Sequence, residues 1–96
     1  MTRYLLAPAA VEDLDDIWIH IVQDDVGAAE RVLTELESAC DLLASRPGIG
    51  HLREDLADAS VRFWAVHSYL IVYRPDRTPI EIVRFWHGAR GVPNLL

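Results

Sequence analysis

Apolar residues recur along the first half of this chain with the period of a helix. Between residues 8 and 22 they stand at three- and four-residue steps, which predicts an amphipathic helix that begins at Pro8. A second stripe, between Ala29 and Leu43, predicts another helix, with Asp25 as its N-cap and Pro47 just beyond its end. Because only a short polar break separates the two stripes, we expect an antiparallel helical hairpin.

Shorter runs rich in β-branched and aromatic residues lie on either side of the hairpin. They predict an edge strand at residues 2–7 and three further strands at residues 61–66, 69–74 and 80–87. His67-Ser68 and the segment 75–79 supply the turns between the last three strands. This order predicts a single α+β domain, residues 1–96, in which an N-terminal strand and the hairpin precede a three-stranded antiparallel sheet (β-α-α-β-β-β), with both helices on one face.

Strict alternation along the last strand predicts which of its side chains share a face. The two expected sets are Ile80, Ile82, Arg84 and Trp86 on one side and Glu81, Val83, Phe85 and His87 on the other. Trp18 belongs to the stripe of the first helix and is expected in the core. For Trp64 and Trp86, a core position and a position on a partner-binding surface are equally open.

The charge of the chain changes sign along its length. Residues 1–60 carry 13 carboxylates against 4 arginines, whereas residues 61–96 carry 2 carboxylates against 5 arginines. The chain has no lysine, and its total charge is −6. This acidity argues against general nucleic-acid binding, because Lys and Arg contacts to phosphate supply most non-specific affinity. The C-terminal arginines are therefore candidates for a separate binding surface.

The composition is that of an ordinary globular protein, with 51% hydrophobic and 25% charged residues. The N-terminal residues lack the pattern of a signal peptide, and no apolar run has the length of a membrane span. The single cysteine, Cys40, leaves no intrachain disulfide, so together these features predict a cytoplasmic protein. Because Cys40 lies within the second apolar stripe, we expect a core thiol rather than a nucleophile.

Side chains suited to metal or acid–base chemistry are scattered. The four histidines have no metal-ligand spacing, so the sequence predicts no metal site and no cofactor. Asp13 and Asp16 share a helix face opposite the apolar stripe, and we expect them to be solvated rather than catalytic. The arginines on or just beyond the last three strands are stronger candidates, because guanidinium groups suit phosphate and carboxylate. They are Arg62, Arg74, Arg84 and Arg90.

Three segments together resemble the RelE/ParE superfamily of bacterial type II toxins. Residues 10–18 (AVEDLDDIW) are similar to the opening of the first helix in that family, and residues 69–74 (YLIVYR) to its central strand. Residues 82–90 (IVRFWHGAR) are similar to its C-terminal ending. The segments occur in the family's order and span most of the chain. The resemblance implies the same fold and a small toxin that a cognate antitoxin neutralises.

Two branches of the superfamily differ in what they require of the chain. RelE-like members are ribosome-dependent mRNA endonucleases, which need basic groups and an acid at the scissile phosphate. Arg90 matches one catalytic arginine of that branch, but Leu70 replaces another, and residues 91–96 carry no Tyr, His or Lys. ParE-like members inhibit DNA gyrase by binding it, which requires a surface and no acid–base pair. The resemblance is closer to ParE, with no catalytic residue expected; a RelE-like endonuclease and an inactive antitoxin-binding relative are the alternatives.

The resemblance implies two protein partners, a cognate antitoxin and DNA gyrase, with no membrane and no sequence-specific nucleic-acid binding by the toxin alone. The target-binding candidates lie in the C-terminal strands and tail: Arg62, Tyr73, Arg74, Arg84, Trp86, His87 and Arg90. The antitoxin is expected to lay a helix and an extended segment over the toxin. Its candidate contacts on the helical hairpin are Trp18, Ile21 and Leu33.

Overall fold

The computed structural model describes residues 3–88. Its elements are β1 (Tyr4–Leu6), α1 (Pro8–Val22), α2 (Val26–Ser45), a short 3-10 turn (Pro47–Ile49), β2 (Arg62–Val66), β3 (Tyr69–Arg74) and β4 (Ile80–His87). The α+β order predicted from the sequence is confirmed. The first strand is shorter than predicted, and β2 begins one residue later.

Both helices begin at residues whose chemistry favours a boundary, and α2 also ends at one. Pro8 occupies the first turn of α1, where its missing N–H removes no helical hydrogen bond. Asp25 caps α2 as predicted, because its carboxylate accepts a hydrogen bond from the backbone N–H of Ala28 at 3.1 Å. The second helix ends at Ser45, shortly before Pro47, which cannot continue it.

The strands form one mixed sheet in the order β1-β4-β3-β2. β2, β3 and β4 are antiparallel neighbours, as predicted. The turn between β2 and β3 places His67 in a left-handed conformation with φ 53°. β1 lies at the edge and pairs in parallel with β4 from Ile80 to Ile82 only. Beyond Ile82, the described part of the chain places no strand on that side of β4.

A bulge in β4 overturns the predicted alternation of its side chains. Opposite the step from Val72 to Tyr73, β4 has one extra residue, Val83. As a result, Phe85 packs on the face that carries the helices, whereas Trp86 lies on the opposite face with Val83. The prediction that Trp86 shares a face with the isoleucines of β4 is therefore wrong, because one inserted residue reverses a period-two pattern.

Buried apolar side chains form two clusters, one on each face of the sheet. The helix-side core joins α1 and α2 to the sheet, and its members include Ile17, Leu36, Cys40, Leu43, Ile71, Tyr73 and Ile82. The outer cluster comprises Ala57, Val61, Phe63, Val72 and Trp86, with Leu56, Leu70 and Val83 partly buried against it. Successive residues of β3 alternate between the two clusters, which therefore lie on opposite faces.

Trp18 lies on the solvent side of α1 rather than in the core. Its exposed fraction is 37%, whereas that of the preceding residue, Ile17, is 8%. Val11 and Ile19 are also exposed on this helix. The prediction of a core Trp18 is wrong, because the apolar stripe of α1 is wider than the surface that α2 and the sheet cover. Within residues 3–88, no helix has the length and apolar character needed to cross a membrane.

Candidate functional site

Arg84 and Asp13 form a clamp between β4 and α1. The guanidinium Nε donates to one carboxylate oxygen at 2.7 Å, and Nη2 donates to the other at 3.0 Å. The same carboxylate accepts the backbone N–H of Phe85 at 2.9 Å. The hydrogen bond to Asp13 raises the pKa of Arg84. The prediction of a solvated Asp13 is therefore wrong. Its carboxylate accepts a backbone N–H of β4 at a point that β1 is too short to reach.

Trp86 lies beside Arg84 and inside the outer cluster. The guanidinium carbon of Arg84 is 5.5 Å from the centre of the indole ring, a cation–π distance. The indole is 5% exposed, and among residues 3–88 its Nε1–H has no acceptor. Of the two alternatives left open by the sequence, the structure selects the core for Trp86.

Trp64 takes an intermediate position on β2. It is half-buried and packs against the helix-side core. Its outer side stacks on His51, with the ring centres 6.0 Å apart and the planes inclined by 10°. His51 in turn exchanges backbone hydrogen bonds with Phe63 at the edge of β2 that faces away from β3. Trp64 therefore contributes to the core and also presents an aromatic surface.

Tyr73 joins the sheet to the segment that follows α2. Its hydroxyl donates to the carbonyl oxygen of Pro47 at 2.7 Å and accepts the N–H of Gly50 at 2.9 Å. Tyr73 is fully buried, and burial raises the pKa of its phenol. A Cβ at Gly50 would collide with the phenol ring, so this position requires glycine. Arg62 completes the group, since its Nη1 donates to the carbonyl of Gly50 at 2.8 Å.

Arg74 and His87 are held at opposite ends of the sheet. The Nε of Arg74 lies 3.3 Å from a carboxylate oxygen of Glu81, and its Nη1 donates to the hydroxyl of Ser60 at 3.3 Å. His87 meets the edge of Tyr69, with the ring centres 5.0 Å apart. Both side chains are partly exposed.

The target-binding candidates therefore form two groups rather than one site. Arg62, Tyr73 and Arg74 lie where β2 begins and β3 ends, whereas Arg84, Trp86 and His87 follow the second half of β4. The side chains of Tyr73 and Trp86 are buried, so they support the fold in the free chain. Their cationic neighbours remain partly exposed. Arg90 lies outside the described residues.

The antitoxin-binding candidates differ in accessibility. Trp18 is exposed, whereas Ile21 and Leu33 are partly buried against the helix-side core. The exposed large apolar side chains of α1 are therefore Trp18, Val11 and Ile19, and those of α2 are Val26 and Leu42.

Cys40 has the environment of a core thiol, as predicted. It is 1% exposed, and burial, with the nearby carboxylates of Asp41 and Glu37, raises its pKa to about 12. Such a thiol is protonated at neutral pH and is not a nucleophile. Over residues 3–88, no group of three or more His, Cys, Asp or Glu side chains gathers in a way that would hold a metal ion.

Asp13 and Gly50 are the positions whose importance the sequence analysis missed. Asp13 looked solvated because helix periodicity says nothing about where a neighbouring strand ends. Gly50 follows Pro47-Gly48-Ile49, which marked only the end of a helix. Each residue contacts a strand that lies more than 20 residues away along the chain, β4 for Asp13 and β3 for Gly50. No nearby sequence pattern could have indicated either contact.

This arrangement, a two-helix layer on a four-stranded mixed sheet with arginines at the sheet margins, defines a small α+β class of protein. A solved structure described as "Chromosomal ParDE TA system from P. aeruginosa" has the same fold, with a TM-score of 0.73, 20% identity, and coverage of 88% of this chain and 92% of that chain. At this identity the similarity shows the fold alone.

Sequence comparison gives the family. "Toxin ParE1" of Caulobacter vibrioides is 35% identical over 93% of this chain and 92% of its own length. "Toxin ParE1" of Mycobacterium tuberculosis is also 35% identical, over 95% of this chain and 94% of its own length. Residues 4–92 match the sequence model of the family described as "ParE toxin of type II toxin-antitoxin system, parDE". The chain therefore belongs to the ParE toxin family of type II toxin–antitoxin systems.

Proposed function

We propose that this protein inhibits DNA gyrase by binding it, and that a cognate antitoxin neutralises it. Family membership supports a toxin of this type. The observation that favours protein binding over RNA cleavage is that two arginines of the sheet already have partners within the fold. Arg84 is bonded to the carboxylate of Asp13, and Arg62 is bonded to the carbonyl of Gly50. These cations stabilise the fold, and they are anchored before any phosphate arrives.

The position of Leu70 supports the same conclusion. In the RelE-like resemblance this position carries a basic catalytic residue, but here the side chain is apolar and partly buried against the outer cluster. An apolar contact cannot stabilise the charge that develops on a phosphate during cleavage. A protein-binding surface needs no such group.

The antitoxin surface is proposed on the helical hairpin. Trp18 is the most accessible of the predicted contacts, and tryptophan is among the residues that contribute most to binding energy in interfaces. An amphipathic antitoxin helix laid along α1 would cover Trp18 together with Val11, which lies two turns earlier on the same side of the helix.

The target is tested by inducing the protein in bacteria and pulse-labelling DNA, RNA and protein synthesis. We expect thymidine incorporation to fall first, and the purified protein to block plasmid supercoiling by gyrase while cleaved plasmid accumulates. Methionine incorporation falling first, with messages cut inside their reading frames, would favour the endonuclease instead. Normal labelling of both would favour a relative that binds antitoxin without activity.

A variant pair refines the gyrase experiment. Arg90→Gln is expected to reduce supercoiling inhibition about tenfold or more, if the C-terminal arginines contact the target through charged hydrogen bonds. Arg31→Gln, which removes the same charge from the exposed side of α2, is the matched control and is expected to retain full inhibition. Full inhibition by Arg90→Gln would contradict the C-terminal assignment.

The antitoxin surface has its own matched pair of variants. Trp18→Glu is expected to abolish co-purification with the antitoxin, because it places a charge in the proposed apolar contact. Leu42→Glu is the control, since Leu42 is 39% exposed, close to the 37% of Trp18, but lies on the side of α2 opposite Leu33. Equal retention of antitoxin by both variants would refute this surface.

A further inference from the structure

An open cleft of about 470 Å³ lies at one end of the sheet, where the turn between β3 and β4 approaches the end of α2. Arg3 comes from the segment before β1, and Arg77 and Thr78 come from the turn. Ala44, in the last turn of α2, and Pro47 form part of the opposite side. The cleft is separate from the clamp of Arg84 and Asp13 and from the exposed surface around Trp18.

The lining of the cleft is cationic, although the chain as a whole carries a charge of −6. Among residues 3–88, two guanidinium groups line it, and no lining residue is a carboxylate. The carboxylate of nearby Glu81 is divided between two arginines, since its Oε1 lies 3.2 Å from Nη1 of Arg77 and 3.3 Å from Nε of Arg74. Within residues 3–88, Arg3 has no ion-pair or hydrogen-bond partner. The cleft therefore contains a guanidinium group, that of Arg3, whose charge no carboxylate in the described part of the chain neutralises.

The apolar part of the lining indicates which kind of anion fits. Pro47, Pro75 and Pro79 contribute to the walls, and proline has no backbone N–H. Phosphate sites commonly rely on several converging backbone N–H groups, and three of the eight described lining residues are prolines, which cannot supply one. Two guanidinium groups that line one cleft beside aliphatic carbon match a carboxylate with an apolar neighbour instead.

Electrostatics around the cleft also favours a protein over a nucleic acid. The last turn of α2 places the negative end of its dipole at the cleft, but this partial charge of about half a unit is smaller than the two full charges of the arginines. A long polyanion would also approach the acidic helices, where residues 1–60 hold 13 carboxylates. A single carboxylate can occupy the cleft without that repulsion.

We propose that this cleft binds a carboxylate side chain from an acidic, aliphatic peptide segment of a protein partner. Arg3 and Arg77 hold the carboxylate, while Ala44 and the prolines contact the adjacent aliphatic side chain. The site goes beyond the proposed function, because none of its residues is a candidate for contact with gyrase or belongs to the surface around Trp18.

The test is an NMR titration of the purified ¹⁵N-labelled protein with small probes. The probes are the capped peptide acetyl-Leu-Glu-Leu-amide, its neutral counterpart acetyl-Leu-Gln-Leu-amide, inorganic phosphate and a short DNA duplex. We expect the Glu peptide to shift the amide signals of Thr78 and Ile80 with an affinity at least about fivefold higher than that of the Gln peptide. The affinity is also expected to fall with added salt, because the site is open to solvent.

Variants assign the binding to the cleft. Arg77→Gln and Arg3→Gln are each expected to weaken the Glu peptide about fivefold, whereas Arg31→Gln on the exposed side of α2 is expected to leave it unchanged. Equal affinity for the two peptides, the absence of shifts at Thr78 and Ile80, or tighter binding of phosphate or DNA at these amides would each overturn the proposal. Because no toxicity is measured, failure here is distinct from failure of the gyrase experiment.

Discussion

The two faces of the sheet differ in what covers them. On the helix-side face, α1 and α2 pack on the sheet, and Leu36, Ile71 and Tyr73 are completely buried. On the outer face, the cover consists of the segment that contributes Leu56, Ala57 and Val61. We therefore expect the helix-side face to determine most of the stability, whereas the outer face has partly exposed cationic groups, Arg74 and Arg84, at its margins.

The difference is clearest in the polar groups of each face. Tyr73, on the helix-side face, has its hydroxyl satisfied twice, by Pro47 and Gly50. Trp86, on the outer face, has an Nε1–H without an acceptor among the described residues. A buried donor without a partner costs free energy, so the outer face is the less optimised of the two for stability.

The largest expected effect comes from removing a central side chain of the helix-side core. Leu36→Ala is expected to lower the free energy of unfolding by about 3 kcal/mol, since it creates a cavity under both helices. Leu70→Ala, in the partly buried rim of the outer cluster, is expected to cost about 1 kcal/mol. Urea unfolding followed by tryptophan fluorescence measures both. Equal losses would show that the two faces contribute alike.

The next effect concerns the joint between β3 and the segment after α2. Tyr73→Phe is expected to cost about 2 kcal/mol, because it leaves the N–H of Gly50 and the carbonyl of Pro47 without their partner. Tyr4→Phe is the matched control, since Tyr4 is only partly buried and donates no hydrogen bond within residues 3–88. Similar unfolding midpoints for the two variants would contradict the role given to the Tyr73 hydroxyl.

A smaller effect is expected at the edge where the two faces meet. Asp13→Ala removes the acceptor of both Arg84 and the Phe85 N–H, and is expected to cost about 1.5 kcal/mol. Asp15→Ala, an exposed position on the same helix, is expected to change stability by less than about 0.5 kcal/mol. Thermal unfolding of both variants at the same pH measures the two losses of stability. If Asp13→Ala unfolds like Asp15→Ala, the clamp is only a surface contact.

Between pH 8 and pH 10, the smallest expected effect is an alkaline loss of stability due to Cys40, of about 1.4 kcal/mol. Its pKa rises from 9.0 in the unfolded chain to about 12 in the fold, so the native state keeps the proton longer. This contribution is fully present below pH 9 and is lost as the pH rises from 9 toward 12, by at most about 1.4 kcal/mol per pH unit.

Comparison of unfolding midpoints at pH 8 and pH 10 tests this linkage. Protein that retains Cys40 is expected to lose more stability between the two values than Cys40→Ala, which lacks the thiol. Both proteins carry Tyr4→Phe in this comparison, because the charge of Cys40 contributes to the raised pKa of Tyr4 and the two groups would otherwise titrate together. An identical loss in the two proteins would place Cys40 in a more polar environment than the helix-side core.

Much of the fold could be predicted because it rests on local patterns. The stripes of α1 and α2, the Asp25 cap and the runs of β3 and β4 are readable within a few residues. The candidate site was less predictable. Trp18 was expected in the core because periodicity gives the direction of an apolar stripe but not the width of the surface that covers it.

The sequence by itself determined the order of elements, the buried thiol of Cys40 and the resemblance that led to the ParE family, since each depends on residue types and near neighbours. Only the tertiary structure decided the faces of β4, because the bulge at Val83 arises from pairing with β3. It also decided the roles of Asp13 and Tyr73. Their partners lie far away along the chain, and long-range contacts of this kind leave no periodic signal in a single sequence.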